Sequence, residues 1–352
     1  MAQFVEDSII TWRKLKSYVI RTLLSRVLNF GPKAHHLMFY ENQPASVSLN
    51  ILKQVDNGYS SSTPHPRDNF LEFHAFNPRF MVKASDISVD SMTGLITLSD
   101  RSFVVESSSW SRQDLQLNVV HRSNKSDHLK VSTRDNILLP SNGFYHWLLE
   151  DLPLYLRLLK EKVIANTYVF EFAPVYVNDF LSWMKIESTK ISRFAAFKEL
   201  DFISRGDDTG WPRSEDIQIL RDTFSPLMLG KSADKKVYIS RLKATRSPNY
   251  ESELIELLSA DGWTILYPEA LSLLEQIQKI SEAQILCGLH GAGLAGMVWM
   301  ENTAKVIEIS RESMARACFA RLASQCGLNY YWLSDQSDDA TGIYKSIMKF
   351  SA

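Results

Sequence analysis

Residues 284–296 read QILCGLHGAGLAG, a short apolar run that leads directly into a glycine-rich turn. A continuous apolar run of this length is typical of a strand that is buried on both faces of a sheet. From residue 237 onwards, short apolar runs alternate with helical patterns of roughly 10–15 residues, which predicts βαβ units with right-handed crossovers. We therefore expect an α/β fold built on a doubly wound parallel sheet.

The same patterns place individual elements along the chain. In the second half we predict strands at 237–240, 263–267, 284–287, 305–309 and 329–333, and helices at 250–260, 271–281, 313–327 and 340–350. In the first half we predict helices at 143–162, 175–185 and 215–224, and strands at 70–76, 94–98, 102–105 and 168–170. A segment at 225–236 that combines Pro, Gly and charged residues is predicted to link the halves.

Length and composition limit the class of protein. The chain has 352 residues, of which 45% are hydrophobic and 22% are charged. These proportions exclude a disordered chain, a coiled coil and a collagen-like fibre. The 39 Lys and Arg residues balance 40 Asp and Glu residues, and the net charge of −1 argues against nucleic acid as a partner. Because domains hold roughly 100–200 residues, we expect two domains.

The predicted organisation has four segments. These are an N-terminal helix within 1–30, a domain at 31–228, a ligand-binding domain at 229–335, and a terminal helix at 336–352 that either stays with the second domain or crosses back to the first.

Residues 9–28 predict a basic amphipathic helix. Its polar side carries Arg13, Lys14, Lys16, Arg21 and Arg26 with no acidic residue between them. Such a helix either lies on an anionic membrane surface or packs on its own domain. Both interpretations stay open.

Cysteine usage and hydropathy give a prediction for location. The N-terminus has no apolar block of the signal-peptide type, and the longest uncharged run, 283–300, is interpreted as a buried strand and turn. Three cysteines without CxxC spacing predict neither a disulfide framework nor a zinc site. We expect a cytoplasmic protein, with peripheral contact at the inner face of the membrane as an option.

The glycine-rich turn predicts a phosphate site. Glycines let the backbone approach a ligand, and the start of the following helix offers unpaired N–H groups. Residues 291–296 also match GxGxxG, the dinucleotide-binding pattern. We discount a nicotinamide cofactor, because Leu289 and His290 separate the strand from the pattern, the helix is short, and the next acidic residue, Glu308, follows too soon.

Charged residues converge on the same edge of the predicted sheet. Arg241 and Arg246 follow the strand at 237–240, and Glu308 lies near the end of the strand at 305–309. Ligands bind open α/β sheets at the carboxyl ends of the strands, and guanidinium groups pair well with phosphate oxygens. Their joint placement predicts a bound nucleoside diphosphate.

His146 and Glu150 lie four residues apart at the start of the long helix at 143–162. The spacing places both on one helical face. An imidazole beside a carboxylate suits acid–base chemistry, but on spacing alone a surface ion pair is the preferred interpretation.

Five motifs follow one another between residues 140 and 310. They are YHWLLE at 145–150, SR at 240–241 followed by Arg246 and Asn249, EALSLLEQ at 269–276, HGAGL at 290–294 and VIE at 306–308. In their order and spacing they resemble those of glycosyltransferase family 61. The resemblance implies a GT-B fold of two Rossmann-like, doubly wound domains facing a cleft. It also implies an inverting transfer from a nucleotide-sugar, with UDP-sugars favoured, and no metal or other cofactor.

The resemblance also implies roles for individual residues. The domain at 31–228 takes a saccharide or glycolipid acceptor, and the domain at 229–335 binds the donor. Glu150 is the expected base, His146 orients it, and Asp151 is the second choice. Arg241, Arg246 and the amides of residues 291–293 hold the leaving diphosphate, and Glu308 holds the ribose. The remaining expected donor contacts are Asn249, Ser272, Glu275, Gln276, His290, Gly291, Ala292, Gly293 and Leu294.

Two positions depart from the family pattern. Ala295 and Gly296 follow HGAGL where the family usually has Thr-Asn, and Glu150 stands where many members have Asp.

Alternative functions remain open from the sequence. The alternatives are a nucleotide-sugar epimerase or hydrolase and a non-catalytic nucleotide- or polysaccharide-binding partner. Cell-surface polysaccharide biosynthesis is the expected setting for the transferase.

Overall fold

The computed structural model describes most of the chain from residue 143 onwards, with short gaps, and a smaller part before it. The described residues are 76, 79–91, 94–98, 143–163, 166–205, 209–230, 232–244, 247–311, 316–335 and 339–351, together with the backbone of short strands before residue 143. The predicted helix at 9–28 and the side chain of Arg246 lie outside them.

Sixteen strands are numbered here in chain order. They are β1 (Ala34–His35), β2 (Val47–Ile51), β3 (Tyr59–Ser60), β4 (Phe73–His74), β5 (Phe80–Asp90), β6 (Ile96–Thr97), β7 (Phe103–Val104), β8 (Asp135–Leu138), β9 (Asn166–Phe170), β10 (Ser188–Ile191), β11 (Phe194–Ile203), β12 (Lys235–Ile239), β13 (Thr264–Leu266), β14 (Ala283–Leu289), β15 (Lys305–Ser310) and β16 (Asn329–Ser334).

The helices are named in the same way. They are α1 (Phe144–His146), a π-helical turn (Trp147–Asp151), α2 (Leu152–Lys160), α3 (Val175–Met184), α4 (Ser214–Met228), α5 (Glu251–Ala260), a 3-10 turn (Pro268–Ala270), α6 (Leu273–Ser281), a 3-10 helix (Ala292–Trp299), α7 (Cys318–Gln325) and α8 (Ala340–Ser351).

The second half is a parallel sheet of five strands in the order β13-β12-β14-β15-β16. Alternate side chains of its central strands enter two different cores. Ile285 and Cys287 pack beneath α5 and α8, whereas Leu286 packs towards α6, the 3-10 helix and α7. Both faces are therefore covered, which explains the continuous apolar runs in the sequence. The predicted doubly wound parallel sheet is confirmed for this half.

The sheet of the first half is mixed, so only its parallel strands match the predicted pattern, and a second doubly wound domain stays a prediction. Its order is β1-β7-β6-β5-β11-β8-β9-β10, and β2 pairs with β5. Strands β8, β9 and β10 are parallel and are joined through helices, as expected for βαβ units. The long strands β5 and β11 pair antiparallel with each other, so a wide antiparallel region extends the parallel one.

The linker prediction was also wrong in part. Helix α4 continues to Met228 and contains Pro226, so residues 225–228 are helical. The connection to β12 spans only 229–234.

One apolar core joins the two halves. It contains Trp147 and Phe180 from the first half and Leu286 and Trp299 from the second. The terminal helix α8 buries Ile343 and Ile347 against α5 and the second sheet, and does not cross back to the first half. The domain boundaries at 228 and 335 stay a prediction.

Within the described residues, no helix is both long and apolar enough to span a membrane.

Candidate functional site

A π-helical turn carries the first group of candidate residues. Trp147–Asp151 forms this turn between α1 and α2, and Trp147 and Leu148 anchor it in the core. A π turn inserts an extra residue into the helical repeat, and such turns are frequent at functional sites. Gly143 precedes α1 with φ 135°, a conformation that favours glycine.

His146 and Glu150 form a hydrogen-bonded pair across this turn. Nδ1 of His146 lies 3.0 Å from Oε2 of Glu150. The His146 side chain is 34% exposed and the Glu150 side chain is 15% exposed. The imidazole is thus the partner that faces solvent, and the predicted contact between the two side chains is confirmed.

A loop from the end of the first half holds the other oxygen of Glu150. Thr209 Oγ1 donates to Glu150 Oε1 at 2.6 Å, and the backbone N–H of Gly210 donates to the same oxygen at 3.0 Å. The carbonyl of Gly210 accepts from Arg321 Nη1 of α7 at 3.1 Å, and the Arg321 guanidinium lies over the Trp211 ring. Helix α7 of the second half therefore fixes the loop that positions Glu150.

These contacts set the ionisation of Glu150. Burial alone would raise the pKa of its carboxyl group. The hydrogen bond and the positive charge of His146 oppose that effect, as do the charge of Arg205 and the hydroxyl of Thr209, and the net pKa is lowered. Glu150 is therefore a carboxylate at neutral pH.

Asp151 points into the protein. It is 4% exposed and forms an ion pair with Arg205, which is equally buried. Burial lowers the pKa of Arg205 to about 10, so the guanidinium stays charged at neutral pH. Asp151, expected as the second choice of base, therefore serves as a buried counter-ion.

A second imidazole–carboxylate pair lies at the carboxyl edge of the parallel sheet. His290 directly follows β14, and its Nδ1 lies 2.5 Å from Oε1 of Glu308 on β15. The other oxygen of Glu308 accepts from the hydroxyl of Tyr330 on β16 at 2.7 Å. Strand register creates this arrangement, because β14, β15 and β16 lie side by side and in parallel.

The expected contact between Glu308 and a ribose is not what the structure shows. Glu308 is fully buried, and His290 and Tyr330 occupy both of its oxygens. The carboxylate instead orients the His290 ring, whose side chain is 23% exposed.

Arg241 lies beside the glycine-rich turn. Its Nη1 donates to the His290 carbonyl at 2.5 Å, and its backbone N–H donates to Glu251 Oε1 at 2.6 Å. A Cβ atom at Gly291 would lie 3.2 Å from Cζ and Nη1 of Arg241. Glycine at this position therefore makes room for the guanidinium.

The other glycines of the turn serve packing. A Cβ atom at Gly293 would lie 2.9 Å from Ile239 Cγ2, and one at Gly296 would collide with Ile280 Cδ1. The segment after Gly291 is a 3-10 helix. A larger residue at position 296 would therefore require the Ile280 side chain to shift.

Only part of the turn is accessible to a ligand. Gly291, Ala292 and Gly293 reach the surface, whereas Leu294 is fully buried. The turn is thus placed as predicted, but Leu294 belongs to the core and not to a ligand contact.

The motif at 269–276 builds the start of α6. Ser272 Oγ accepts from the Glu275 N–H at 3.3 Å, and Glu275 Oε2 accepts from the Ser272 N–H at 2.8 Å. This reciprocal capping box satisfies backbone donors at the helix start. The Gln276 amide donates to the carbonyls of Pro268 and Leu271. These three polar side chains, expected to contact the donor, are bound within their own turn.

Phe319 of α7 brings the two imidazole–carboxylate pairs together. Its ring centroid lies 5.5 Å from Tyr145 and 5.1 Å from His290, both edge-on. Tyr145 in turn packs edge-on against the His146 ring at 5.4 Å. Motifs separated by more than a hundred residues therefore flank a single aromatic side chain.

The comparison with known families fits this geometry. Residues 144–307 match the glycosyltransferase 61 family model. The resemblance seen in the sequence is confirmed over this segment. No curated protein matches the chain.

The segment that matches the glycosyltransferase 61 model contains His146, Glu150 and His290. It begins at α1, two residues before His146, and it ends one residue before Glu308. Phe319 and Tyr330, which complete the site, follow it in the chain.

Sequence reasoning missed several residues of this candidate site. Glu251 is fully buried and organises the loop after β12 by accepting from the Arg241 N–H, Tyr238 and Ser247. A carboxylate in the first turn of α5, two residues after Asn249, was the available signal. Asn249 itself is exposed. Thr209, Tyr330 and Phe319 gave no signal, because only the tertiary fold brings them to the site.

Among the described residues, no group of three or more His, Cys, Asp or Glu side chains is arranged to hold a metal ion.

Proposed function

We propose that this protein is an inverting glycosyltransferase. It moves a sugar from a nucleoside-diphosphate donor, with UDP-sugars favoured, to a hydroxyl group of a saccharide or glycolipid acceptor. The observation that carries the proposal is that two motifs of the segment matching the glycosyltransferase 61 model, at 145–150 and at 290–294, meet at Phe319. One motif offers an acid–base pair and the other offers positive charge at the edge of a parallel sheet.

The donor side of the site has the chemistry for a diphosphate. Arg241 and His290 lie at the carboxyl ends of β12 and β14, where ligands of open α/β sheets bind. The accessible backbone at 291–293 adds N–H groups. Donors fixed in advance stabilise the negative charge that develops on a leaving diphosphate. Arg246, predicted from the sequence, joins this set in the proposal.

The acceptor side has the chemistry for proton removal. An inverting displacement forms one bond from the acceptor oxygen to the anomeric carbon and breaks the bond to the β-phosphate. The acceptor hydroxyl must lose its proton as this happens. The pair of His146 and Glu150 lies on the first-half side of Phe319 and supports this step.

The finer features of the proposal follow the family resemblance. We propose a GT-B arrangement in which residues 31–228 take the acceptor and residues 229–335 bind the donor. The guanidinium group of Arg241 supports a reaction that needs no metal. A cytoplasmic setting in cell-surface polysaccharide biosynthesis, with peripheral membrane contact through 9–28, stays a prediction from the sequence.

Nucleotide binding provides the first experiment. We would measure the melting temperature of the wild type with nucleoside mono- and diphosphates, alongside Arg246→Ala and Gly291→Ala. A ligand at 100 times its Kd adds about 2.7 kcal/mol to the stability of the native state, which is readily detected. We expect a shift with UDP that both substitutions reduce, Gly291→Ala by displacing the Arg241 guanidinium.

The outcomes separate the candidate functions. UDP binding with transfer to an acceptor supports the transferase. Donor conversion without an acceptor identifies an epimerase or hydrolase, and binding without any turnover identifies a non-catalytic partner. The absence of a shift with every nucleotide would contradict the proposed function.

A further inference from the structure

The carboxylate of Glu150 has little capacity left for an incoming proton. Its Oε1 already accepts from Thr209 Oγ1 and from the Gly210 N–H, and its Oε2 faces His146 Nδ1. Its side chain is only 15% exposed. Three of the roughly four hydrogen-bond positions of the carboxylate are therefore occupied, and Arg205 Nη1 lies 3.9 Å from Oε2.

The same contacts define the tautomer of His146. The Thr209 hydroxyl gives its proton to Glu150 Oε1, so a lone pair of Thr209 Oγ1 faces His146 Nδ1 at 3.0 Å. Nδ1 is thus surrounded by two acceptors, Glu150 Oε2 and Thr209 Oγ1, and must carry a hydrogen. In the neutral ring the free lone pair then lies on Nε2, which no hydrogen bond engages among the described residues.

We propose that Nε2 of His146 is the atom that accepts the proton of the acceptor hydroxyl, and that Glu150 is the residue that positions it. This reverses the roles expected from the sequence, and it rests on the proposed function. His146 is the catalytic residue, and Glu150 acts through it.

The step balances in atoms and electrons. The acceptor O–H bond breaks and its proton moves to Nε2, while the acceptor oxygen forms a bond to the anomeric carbon. The bond from that carbon to the β-phosphate oxygen breaks, and its electron pair leaves with the nucleoside diphosphate. The imidazolium, stabilised by Glu150, then releases the proton to solvent.

The physical chemistry favours the imidazole as base. General bases work best when their pKa lies near the working pH, a condition that imidazoles as a class meet more closely than carboxylates do. The lowered pKa of Glu150 makes that carboxylate a still weaker base. The titratable and charged groups around the pair are Tyr145 and Asp151 on the same helical segment, Arg205 after β11, and Cys318 and Arg321 on α7.

The test uses UDP release by the full chain, with UDP-hexoses, UDP-N-acetylhexosamines and UDP-pentoses as donors and water or a saccharide mixture as acceptor. The variants are His146→Gln, Glu150→Gln and, as a control on the exposed face of α5, Glu256→Gln. Melting temperature and UDP affinity are measured for each, and kcat and KM are followed from acid to neutral pH.

We expect His146→Gln to lose about 100-fold or more in kcat, the usual range for a general base, while UDP affinity stays unchanged. The acid limb of its pH profile should disappear. Glu150→Gln should also lose about 100-fold or more at neutral pH, because the imidazole loses its tautomer control. Its remaining activity should keep an acid limb, moved to lower pH, because the imidazolium has lost its counter-ion. Glu256→Gln should match the wild type.

Two results would overturn the inference. Retention of kcat within about threefold in His146→Gln, or an acid limb that disappears in Glu150→Gln and persists in His146→Gln, would return the role of base to Glu150. A wild type that neither binds UDP nor consumes any donor would instead contradict the proposed function, and with it this inference.

Discussion

The two imidazole–carboxylate pairs share one contact and differ in nearly everything else. In both, Nδ1 of a histidine faces a glutamate oxygen. Glu150 belongs to the same helical segment as His146, and its side chain is 15% exposed. Glu308 lies on β15, next to the strand that His290 follows, and is fully buried.

The difference separates a pair whose imidazole is exposed to solvent from a pair that is built into the sheet. The pair of His146 and Glu150 is assembled by local spacing, and its imidazole is 34% exposed, so solvent reaches it. The pair of His290 and Glu308 is built into the sheet through Tyr330, so its carboxylate cannot meet a ligand. We expect the first pair to govern turnover and the second to govern stability and the position of His290.

Replacing each carboxylate by its amide gives the largest expected contrast. Glu308→Gln removes the negative charge of a fully buried carboxylate held between Tyr330 and His290, and should lower the free energy of unfolding by about 3 kcal/mol. Glu150→Gln, nearer to solvent, should lower it by about 1 kcal/mol. Urea unfolding of both variants measures the difference. Equal losses would contradict the distinction between the two pairs.

Removing the hydroxyl of Tyr330, which donates to the buried carboxylate of Glu308, has a smaller effect. Tyr330→Phe leaves Glu308 Oε2 without its donor, which should cost about 1.5 kcal/mol. UDP affinity should fall by a few fold as His290 loses its fixed orientation. Denaturation and calorimetric titration test both statements. Wild-type stability in Tyr330→Phe would show that this hydrogen bond does not support the pair.

The matching change at the exposed pair is Thr209→Val. It removes one hydrogen bond to Glu150 Oε1 and should lower stability by about 0.5–1 kcal/mol, because the Gly210 N–H still holds that oxygen. Turnover should fall more than UDP affinity does, because the residues proposed to bind the nucleotide-sugar lie on the other side of Phe319. A variant that loses UDP affinity but keeps kcat would place Thr209 on the donor side.

The smallest expected effect concerns acid stability. The folded pKa of Glu150 is lowered, so its contribution is complete above the ordinary glutamate value and is lost as the pH falls through the folded value. Glu150→Gln should therefore flatten the loss of stability below about pH 4.3, compared with Glu256→Gln. An unchanged slope would show that Glu150 gains no net stabilisation from its partners.

How well each part of the fold could be predicted from the sequence depended on how deeply its strands are buried. The order of elements from β12 to α8 was predicted correctly, because strands buried on both faces are apolar and stand out between helical patterns. Strands β5 and β11 were missed. The sequence of β11, FAAFKELDFI, is rich in Ala, Lys, Glu and Leu, which favour helices, and only pairing with β5 makes it a strand.

How well the site could be predicted depended on how far apart its interacting residues lie in the sequence. His146 and Glu150 were found because four residues along a helix bring side chains together. Glu308 was found, but its role was misjudged, because its burial and its partner Tyr330 depend on the register of three strands. Ser272 and Glu275 look like ligand contacts in the sequence and turn out to cap a helix.

The anomeric configuration of the first product is the most direct test of the central claim. We would follow the turnover of α-linked UDP-sugars by proton NMR and record which anomer appears first, together with UDP. A single displacement assisted by the His146–Glu150 pair predicts the β-anomer. First appearance of the α-anomer, or no release of UDP from any donor, would contradict the account.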